Sequence, residues 1–122
     1  AHVISLHDGK FREPQPRHGG ISEFDQGRTA VCRTESGLTL MLTSRRMVPF
    51  SLQQLISCNV DPCSFRILVA KGVNAPIAAY REVCDIFIRV NSIGSTCADM
   101  SRLHYRHRRR PLFPLETDAI FS

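Results

Sequence analysis

Two stretches of alternating apolar and polar residues near the start of the chain predict β-hairpins. In the first, Val3-Ile4-Ser5-Leu6-His7 meets the turn pair Asp8-Gly9, which favours a type I′ turn, and Lys10-Phe11-Arg12 is the predicted return strand. In the second, strands from Thr29 to Thr34 and from Leu38 to Thr43 flank the predicted turn Glu35-Ser36-Gly37. The first third of the chain is therefore expected to be antiparallel.

Later apolar runs predict a different unit. Phe65 to Ala70 and Asp85 to Val90 are predicted strands, and Pro76 to Val83 between them is a predicted helix capped by Asn74. A strand, a short helix and a strand in this order predict a right-handed crossover with parallel strands. The first strand is expected to be buried.

Two shorter helical signals precede that unit. Ser51 followed by Gln54 makes a capping box, and Asp61-Pro62 is typical of an N-cap with proline at the first helical position. The predicted fold class is therefore α/β in the mixed α+β sense. It comprises a mixed sheet from two β-hairpins and one strand-helix-strand crossover, with short helices.

Length and composition predict one domain over residues 1–122, because 122 residues with 43% hydrophobic content can bury one core. No apolar run approaches the roughly 20 residues that span a bilayer, and the first residues do not resemble a secretory signal. An odd number of cysteines, 5, without a CxxC pair predicts free thiols and a cytoplasmic location.

Four of the 5 cysteines carry an expectation. Cys32 and Cys84 are predicted core residues, because free cysteine is often buried. Cys58 and Cys63 could approach each other around a turn, but no further ligands are placed to complete a metal site with them.

The net charge of +5 is concentrated near the C-terminus, where Arg102, His104 and the segment Arg106–Arg110 are crowded together. Such a cluster is typical of nucleic-acid binding, but solvated arginines or pairing with acids is the more frequent outcome. The following Pro-Leu-Phe-Pro-Leu, residues 111–115, is expected to form an extended strap that packs on a surface.

Three loops carry residues suited to anion binding. The first is Arg17-His18-Gly19-Gly20, where glycines allow backbone N–H groups to approach an oxyanion. The second is Ser44-Arg45-Arg46, since a guanidinium fork binds carboxylates bidentately. The third is Lys71-Gly72 at a predicted strand end. The alternatives are an ordinary turn, an arginine paired with an acid such as Glu35 or Asp61, and a surface lysine.

No recognisable catalytic set accompanies these loops. The chain has no HExxH, no GxSxG, no cysteine with an evident histidine partner and no pair of carboxylates in matched loops. No catalytic residue and no metal ligand is therefore predicted in this chain.

Five segments taken in order nevertheless resemble a known family, the C-terminal domain of the MlrC-like (microcystinase C) metallopeptidases. The resemblance covers nearly the whole chain. It rests on RHGG at 17–20, FDQG before TAV at 24–31, LTSRR with PFS at 42–51, FRILVAKGV at 65–73 and RRRPLFPL at 108–115.

The resemblance implies a bacterial, zinc-dependent peptidase of the microcystin-degradation type that hydrolyses small or linearised peptides. It implies that the zinc ligands belong to an N-terminal metal-binding domain outside this chain, on which this domain packs. The chain alone is then expected to bind no zinc and to be inactive.

Its substrate-binding residues would be Arg17, His18, Gly19, Gly20, Ser44, Arg45, Arg46, Lys71 and Gly72. A purely structural domain and a module that binds an anion or nucleic acid remain the alternatives, with nucleic acid less favoured and no membrane partner expected.

Overall fold

The computed structural model describes residues 1–16, 19–72, 74–90, 92, 99–117 and 119–120. Arg17, His18 and Cys97 therefore lie outside the described residues. The chain divides into two compact units, Ala1–Phe87 and Ile88–Ser122, which are described separately. In the described part of the chain no helix has the length and apolar character to cross a membrane. The single domain over residues 1–122 stays a prediction.

Among its described residues, the first unit contains five strands in two antiparallel sheets. The strands are β1 (His2–His7), β2 (Lys10–Arg12), β3 (Glu23–Asp25), β4 (Thr29–Arg33) and β5 (Thr39–Thr43). One sheet has the order β1-β4-β5 and the other pairs β2 with β3. With its short helices the architecture is α+β, as predicted, but two antiparallel sheets replace the single mixed sheet.

The second predicted hairpin is confirmed. Strands β4 and β5 pair from Thr29 opposite Thr43 to Arg33 opposite Thr39. The Thr34 N–H donates to the Leu38 carbonyl at 2.9 Å, and Gly37 has a φ of +86°. A short turn that glycine completes thus determines the register of this pair.

The first predicted hairpin is wrong, because β1 pairs with β4 and β2 pairs with β3. Gly9 (φ +76°) redirects the chain from one sheet to the other, and its carbonyl accepts the Gln26 N–H at 3.0 Å. A Cβ at this position would lie 1.8 Å from the Gly27 carbonyl oxygen. The glycine therefore serves a close backbone contact between two loops instead of a two-residue turn.

Helix α1 (Gln53–Ile56) begins at the predicted capping box. The Ser51 N–H donates to Gln54 Oε1 at 3.2 Å, and the Gln53 N–H donates to Ser51 Oγ at 3.0 Å. The hydroxyl thus binds the N–H one residue earlier than in the usual box.

The same helix ends in a Schellman motif. The Val60 N–H donates to the Leu55 carbonyl, the Asn59 N–H donates to the Ile56 carbonyl, and Asn59 has a φ of +57°. Asp61 then caps a single 3₁₀ turn, Pro62–Ser64, by accepting the Cys63 N–H at 2.9 Å, as predicted.

The predicted crossover is not confirmed. Helix α2 (Ala75–Tyr80) forms with Asn74 as its N-cap residue, although without a side-chain capping bond. Neither 65–70 nor 85–90 is a strand among the described residues. Leu68 and Ala70 pack on a core cluster of Leu52, Ala79 and Tyr80. The alternate side chains Ile67 and Val69 are 79% and 90% exposed, so the prediction that 65–70 is a fully buried strand is wrong. In 85–90, Ile86 and Ile88 are 81% and 83% exposed.

The cysteine predictions are confirmed only in part. Cys32 is buried, but Cys84 is only half-buried, and Cys58 is the most buried of the described cysteines. Burial raises the pKa of the Cys58 thiol, so this residue behaves as a packed apolar group. Cys63 is exposed, and the described cysteines are free thiols.

The second unit has a 3₁₀ turn, Met100–Arg102, and an ion pair that closes its C-terminal loop. Both guanidinium nitrogens of Arg108 donate to the Glu116 carboxylate, which also accepts the Leu112 N–H at 2.8 Å. The hydrogen bonds from Arg108 lower the pKa of Glu116 to about 2. Leu112 and Phe113 of the predicted strap are exposed, while Leu115 is half-buried.

Candidate functional site

The start of the first candidate loop, at Glu13, and Gly72 of the third contact the segment Pro49-Phe50-Ser51, which follows the second loop and leads into α1. No contact brings Gly19 or Gly20 to this segment among the described residues. We call the residues 13–16, 44–51 and 71–72 the loop junction. They follow β2, follow β5 and precede α2, respectively. Each contributes polar groups next to a short, ordered element.

Aromatic packing holds the centre of the loop junction on the small sheet. The Phe50 ring lies 4.7 Å from Phe24 in an edge-on contact and 6.1 Å from Phe11. The Phe11 and Phe24 rings, from β2 and β3, are stacked at 5.3 Å. Such pairs add to the stabilisation from burial alone, so Phe50 anchors the segment between β5 and α1.

A buried polar contact attaches the first loop to this anchor. Glu13 is 4% exposed and Ser51 is fully buried, and the Ser51 hydroxyl donates to the Glu13 carboxylate. The same carboxylate accepts the Gln15 N–H at 3.0 Å, and Gln15 Nε2 donates to Glu82 at 3.3 Å. The start of the first loop is therefore held between α1 and the residues after α2.

The second loop is held by Arg45. Its Nη1 donates to Asp25 Oδ2 at 2.6 Å, while Asp25 Oδ1 accepts the Gly27 N–H at 2.7 Å. The Arg45 N–H also donates to the Gln26 carbonyl at 3.1 Å. One arginine does pair with an acid, but that acid is Asp25 and not Glu35 or Asp61. Arg45 therefore connects the end of β5 to the end of β3.

Ser44 belongs to the same contact between loops. Its N–H donates to the Arg28 carbonyl at 2.9 Å, and a Cβ on Gly27 would lie 2.3 Å from Ser44 Oγ. Ser44 is thus placed by backbone contacts, with its side chain at the surface.

Arg46 and Lys71 are the cations that the loop junction leaves available. Both are exposed, and within the described ranges neither has a hydrogen bond or an ion pair. Gly72 lies against the helix that follows, because a Cβ there would be 3.0 Å from Pro76 Cδ and 3.8 Å from Pro49 Cδ. The second and third loops therefore adjoin at Pro49 and Gly72.

Gly19 and Gly20 take up the left-handed backbone conformation, with φ values of +89° and +78°. Space around both is open, since a Cβ at either would meet nothing within 4 Å. The loop therefore takes up the positive φ values that glycine permits at low cost. Its remaining predicted site residues, Arg17 and His18, lie outside the described residues.

Sequence reasoning missed three residues that organise the loop junction: Glu13, Asp25 and Phe50. Local sequence does not indicate the contacts of the two acids, because their partners are 38 and 20 residues away in the chain. The sequence contains one weak indication for Glu13, which is its position directly before the proline-rich loop that begins at Pro14.

Zinc does not fit the residues that the structure describes. Among them no group of three or more His, Cys, Asp or Glu side chains could hold a metal ion. The loop junction offers two exposed cations, Arg46 and Lys71, which suit an anionic ligand.

Comparison with protein families identifies the class of this fold. The family model described as the MlrC C-terminus matches residues 1–107, and the chain therefore belongs to the MlrC C-terminal domain family. No curated protein and no solved structure matches the chain.

Proposed function

We propose that this chain is the C-terminal domain of a zinc-dependent, metallopeptidase-like hydrolase and that its loop junction forms part of the peptide-substrate cleft. The meeting of three polar loops at Pro49-Phe50-Ser51 carries the proposal. Family membership supports the assignment to an MlrC-like parent protein. The catalytic zinc would be held by an N-terminal metal-binding domain, on which this domain would pack.

The cations of the loop junction would have different roles. Arg46 and Lys71 would bind a carboxylate of the peptide, because they are exposed and no described residue pairs with them. Arg45 would be a positioning residue, since Asp25 already holds one of its nitrogens. Glu13 and Ser51 would maintain the loop geometry that sets the distance between the cations.

Kinetics of the full-length parent protein would test this assignment. With a linear peptide substrate, we expect Arg46→Gln and Lys71→Gln each to raise KM about tenfold, and to have little effect on the same peptide with an amidated C-terminus. Lys10→Gln is the matched control, because Lys10 is an exposed cation on β2 outside the loop junction.

Two other outcomes would reject the substrate-binding role. Unchanged KM with only a lower melting temperature would leave a purely structural domain. Binding of duplex DNA that weakens steeply with salt would favour the nucleic-acid alternative, which draws on the exposed arginines 102, 106, 109 and 110.

A further inference from the structure

A cavity of 220 Å³ lies over the β1-β4-β5 sheet and shares no residue with the loop junction. Its floor is one face of the sheet. Its wall is the chain that leaves α1, from the Schellman motif through the 3₁₀ turn. None of the candidate site residues predicted from the sequence lines it.

The floor combines a cation with an unpaired hydroxyl. Arg33 on β4 lies directly opposite Thr39 on β5, so both side chains project from neighbouring positions on the same face. Thr39 Oγ1 is buried and has no hydrogen-bond partner in the part of the chain that the structure describes. A buried hydroxyl without a partner carries a free-energy cost that a bound acceptor would remove. Arg33 and Thr39 together suit a carboxylate.

The wall presents the opposite charge. Asp61 lines the cavity, and its Oδ1 accepts the Cys63 N–H. No described residue forms an ion pair with Asp61 or with Arg33. The left-handed Asn59 and the two hydrogen bonds of the Schellman motif hold this wall in place. The wall therefore suits an ammonium group.

Apolar side chains line the remaining space. Val31 on β4 is 3% exposed and faces the cavity beside Arg33, while Val60 and Phe65 contribute from the wall. A cavity of 220 Å³ has room for about seven waters, at roughly 30 Å³ each. That volume accommodates a ligand the size of a single amino acid.

We propose that this cavity binds a free amino acid with an aliphatic side chain. Its carboxylate is held by Arg33 and Thr39, its ammonium group by Asp61, and its side chain by Val31 and Phe65. A simple anion would face the repulsion of Asp61, and a simple cation would face that of Arg33. The inference does not rest on the proposed function of the loop junction.

Titration of the 122-residue chain with L-leucine, followed by amide NMR shifts, tests the site. We expect saturable shifts confined to residues 31–39 and 58–65. L-leucinamide, which lacks the carboxylate, and N-acetyl-L-leucine, which lacks the ammonium group, should each bind at least about tenfold more weakly.

Variants assign each end of the ligand. Arg33→Gln should abolish the preference for leucine over leucinamide, and Asp61→Asn, which can still cap the 3₁₀ turn, should abolish the preference over N-acetyl-leucine. Thr39→Val removes a hydroxyl that has no hydrogen-bond partner among the described residues. It should weaken leucine binding without affecting folding. Arg81→Gln is the matched control, because Arg81 is exposed in the same unit and does not line the cavity.

Three results would overturn the proposal. They are no saturable shift with L-leucine, equal binding of leucine and both blocked analogues, and an effect of Arg33→Gln no larger than that of Arg81→Gln.

Discussion

The paired strands of residues 2–43 and the extended segments on either side of α2 are built from similar residues, but they are stabilised differently. In the first region each strand has a partner whose register is determined by a nearby turn or loop contact. In the second region Leu68 and Ala70 pack inward, while Ile67 and Val69 remain exposed and no described strand pairs with their segment. An alternating pattern of apolar residues therefore specifies which side of a segment is buried. A β-strand also requires a neighbouring strand to which its backbone can hydrogen-bond.

The difference also appears in the polar contacts. The first region is connected by long-range pairs, Glu13 with Ser51 and Asp25 with Arg45. These contacts hold loops together at the ends of very short strands. Apolar packing there comes from the Phe11, Phe24 and Phe50 rings, because β2 and β3 have only 3 residues each.

The largest effect is expected from Gly9→Ala, which changes the residue at which the chain passes from one sheet to the other. The added Cβ would meet the Gly27 carbonyl at 1.8 Å in a left-handed conformation, so we expect a loss of about 3 kcal/mol or more in the free energy of unfolding. Gly37→Ala is the control, because φ is also positive there but the space is open. It should cost about 1 kcal/mol. Denaturant unfolding of both variants checks this, and equal losses would contradict the role of the close contact.

Val31→Ala and Val69→Ala compare the two regions directly. Val31 is 3% exposed in the sheet, whereas Val69 is 90% exposed before α2. We expect a loss of about 2 kcal/mol for Val31→Ala and less than about 0.5 kcal/mol for Val69→Ala. Urea unfolding of the chain measures both. A comparable loss for Val69→Ala would mean that its segment is packed in solution.

Ser51→Ala tests the contact that holds the first loop. The buried Glu13 carboxylate would lose one donor and the Gln53 N–H would lose its acceptor, so we expect a cost of about 1 to 2 kcal/mol. Ser36→Ala at the exposed β4–β5 turn should cost less than about 0.5 kcal/mol. If thermal unfolding gives the same loss for both, the buried contact adds nothing beyond an exposed one.

The second unit can be compared in the same way through Glu116, because the ion pair between Arg108 and Glu116 closes its C-terminal loop. Arg108 lowers the pKa of Glu116 from 4.5 to about 2. Its stabilising contribution is therefore complete above pH 4.5 and is lost as the pH falls from 4.5 towards 2. NMR titration of the Glu116 carboxyl should give a midpoint near 2, which Arg108→Gln should move towards 4.5.

Arg109→Gln is the control for this titration, because Arg109 is not a partner of Glu116. A midpoint that Arg108→Gln leaves unchanged would show that the pair does not form in solution.

Local signals in the sequence were reliable wherever the interacting groups are close in the chain. The β4–β5 hairpin, the capping box at Ser51 and the Asp61-Pro62 turn were all predicted, because each is decided within a few residues. The Asp8-Gly9 pair was misread because a turn pair and a close loop contact both require a glycine with positive φ.

The candidate site shows the same division. Its residue types and loops could be selected from the sequence, and the anion-binding interpretation of Arg46 and Lys71 stays a prediction. The sequence could not predict that Arg45 pairs with Asp25, because it contains several other acidic residues that could have formed the ion pair. The cavity at Arg33 and Thr39 was missed because its floor and wall come from residues about 30 positions apart in the chain.

By itself, the amino-acid sequence determined the family, the positions of the turns and caps, and which faces are apolar, since these depend on residue type and local spacing. Tertiary structure alone decided which strands pair, which acid holds which loop, and where a cavity with opposite charges arises. Those outcomes depend on contacts between distant residues, whose free energies are comparable for several partners until the whole chain has folded.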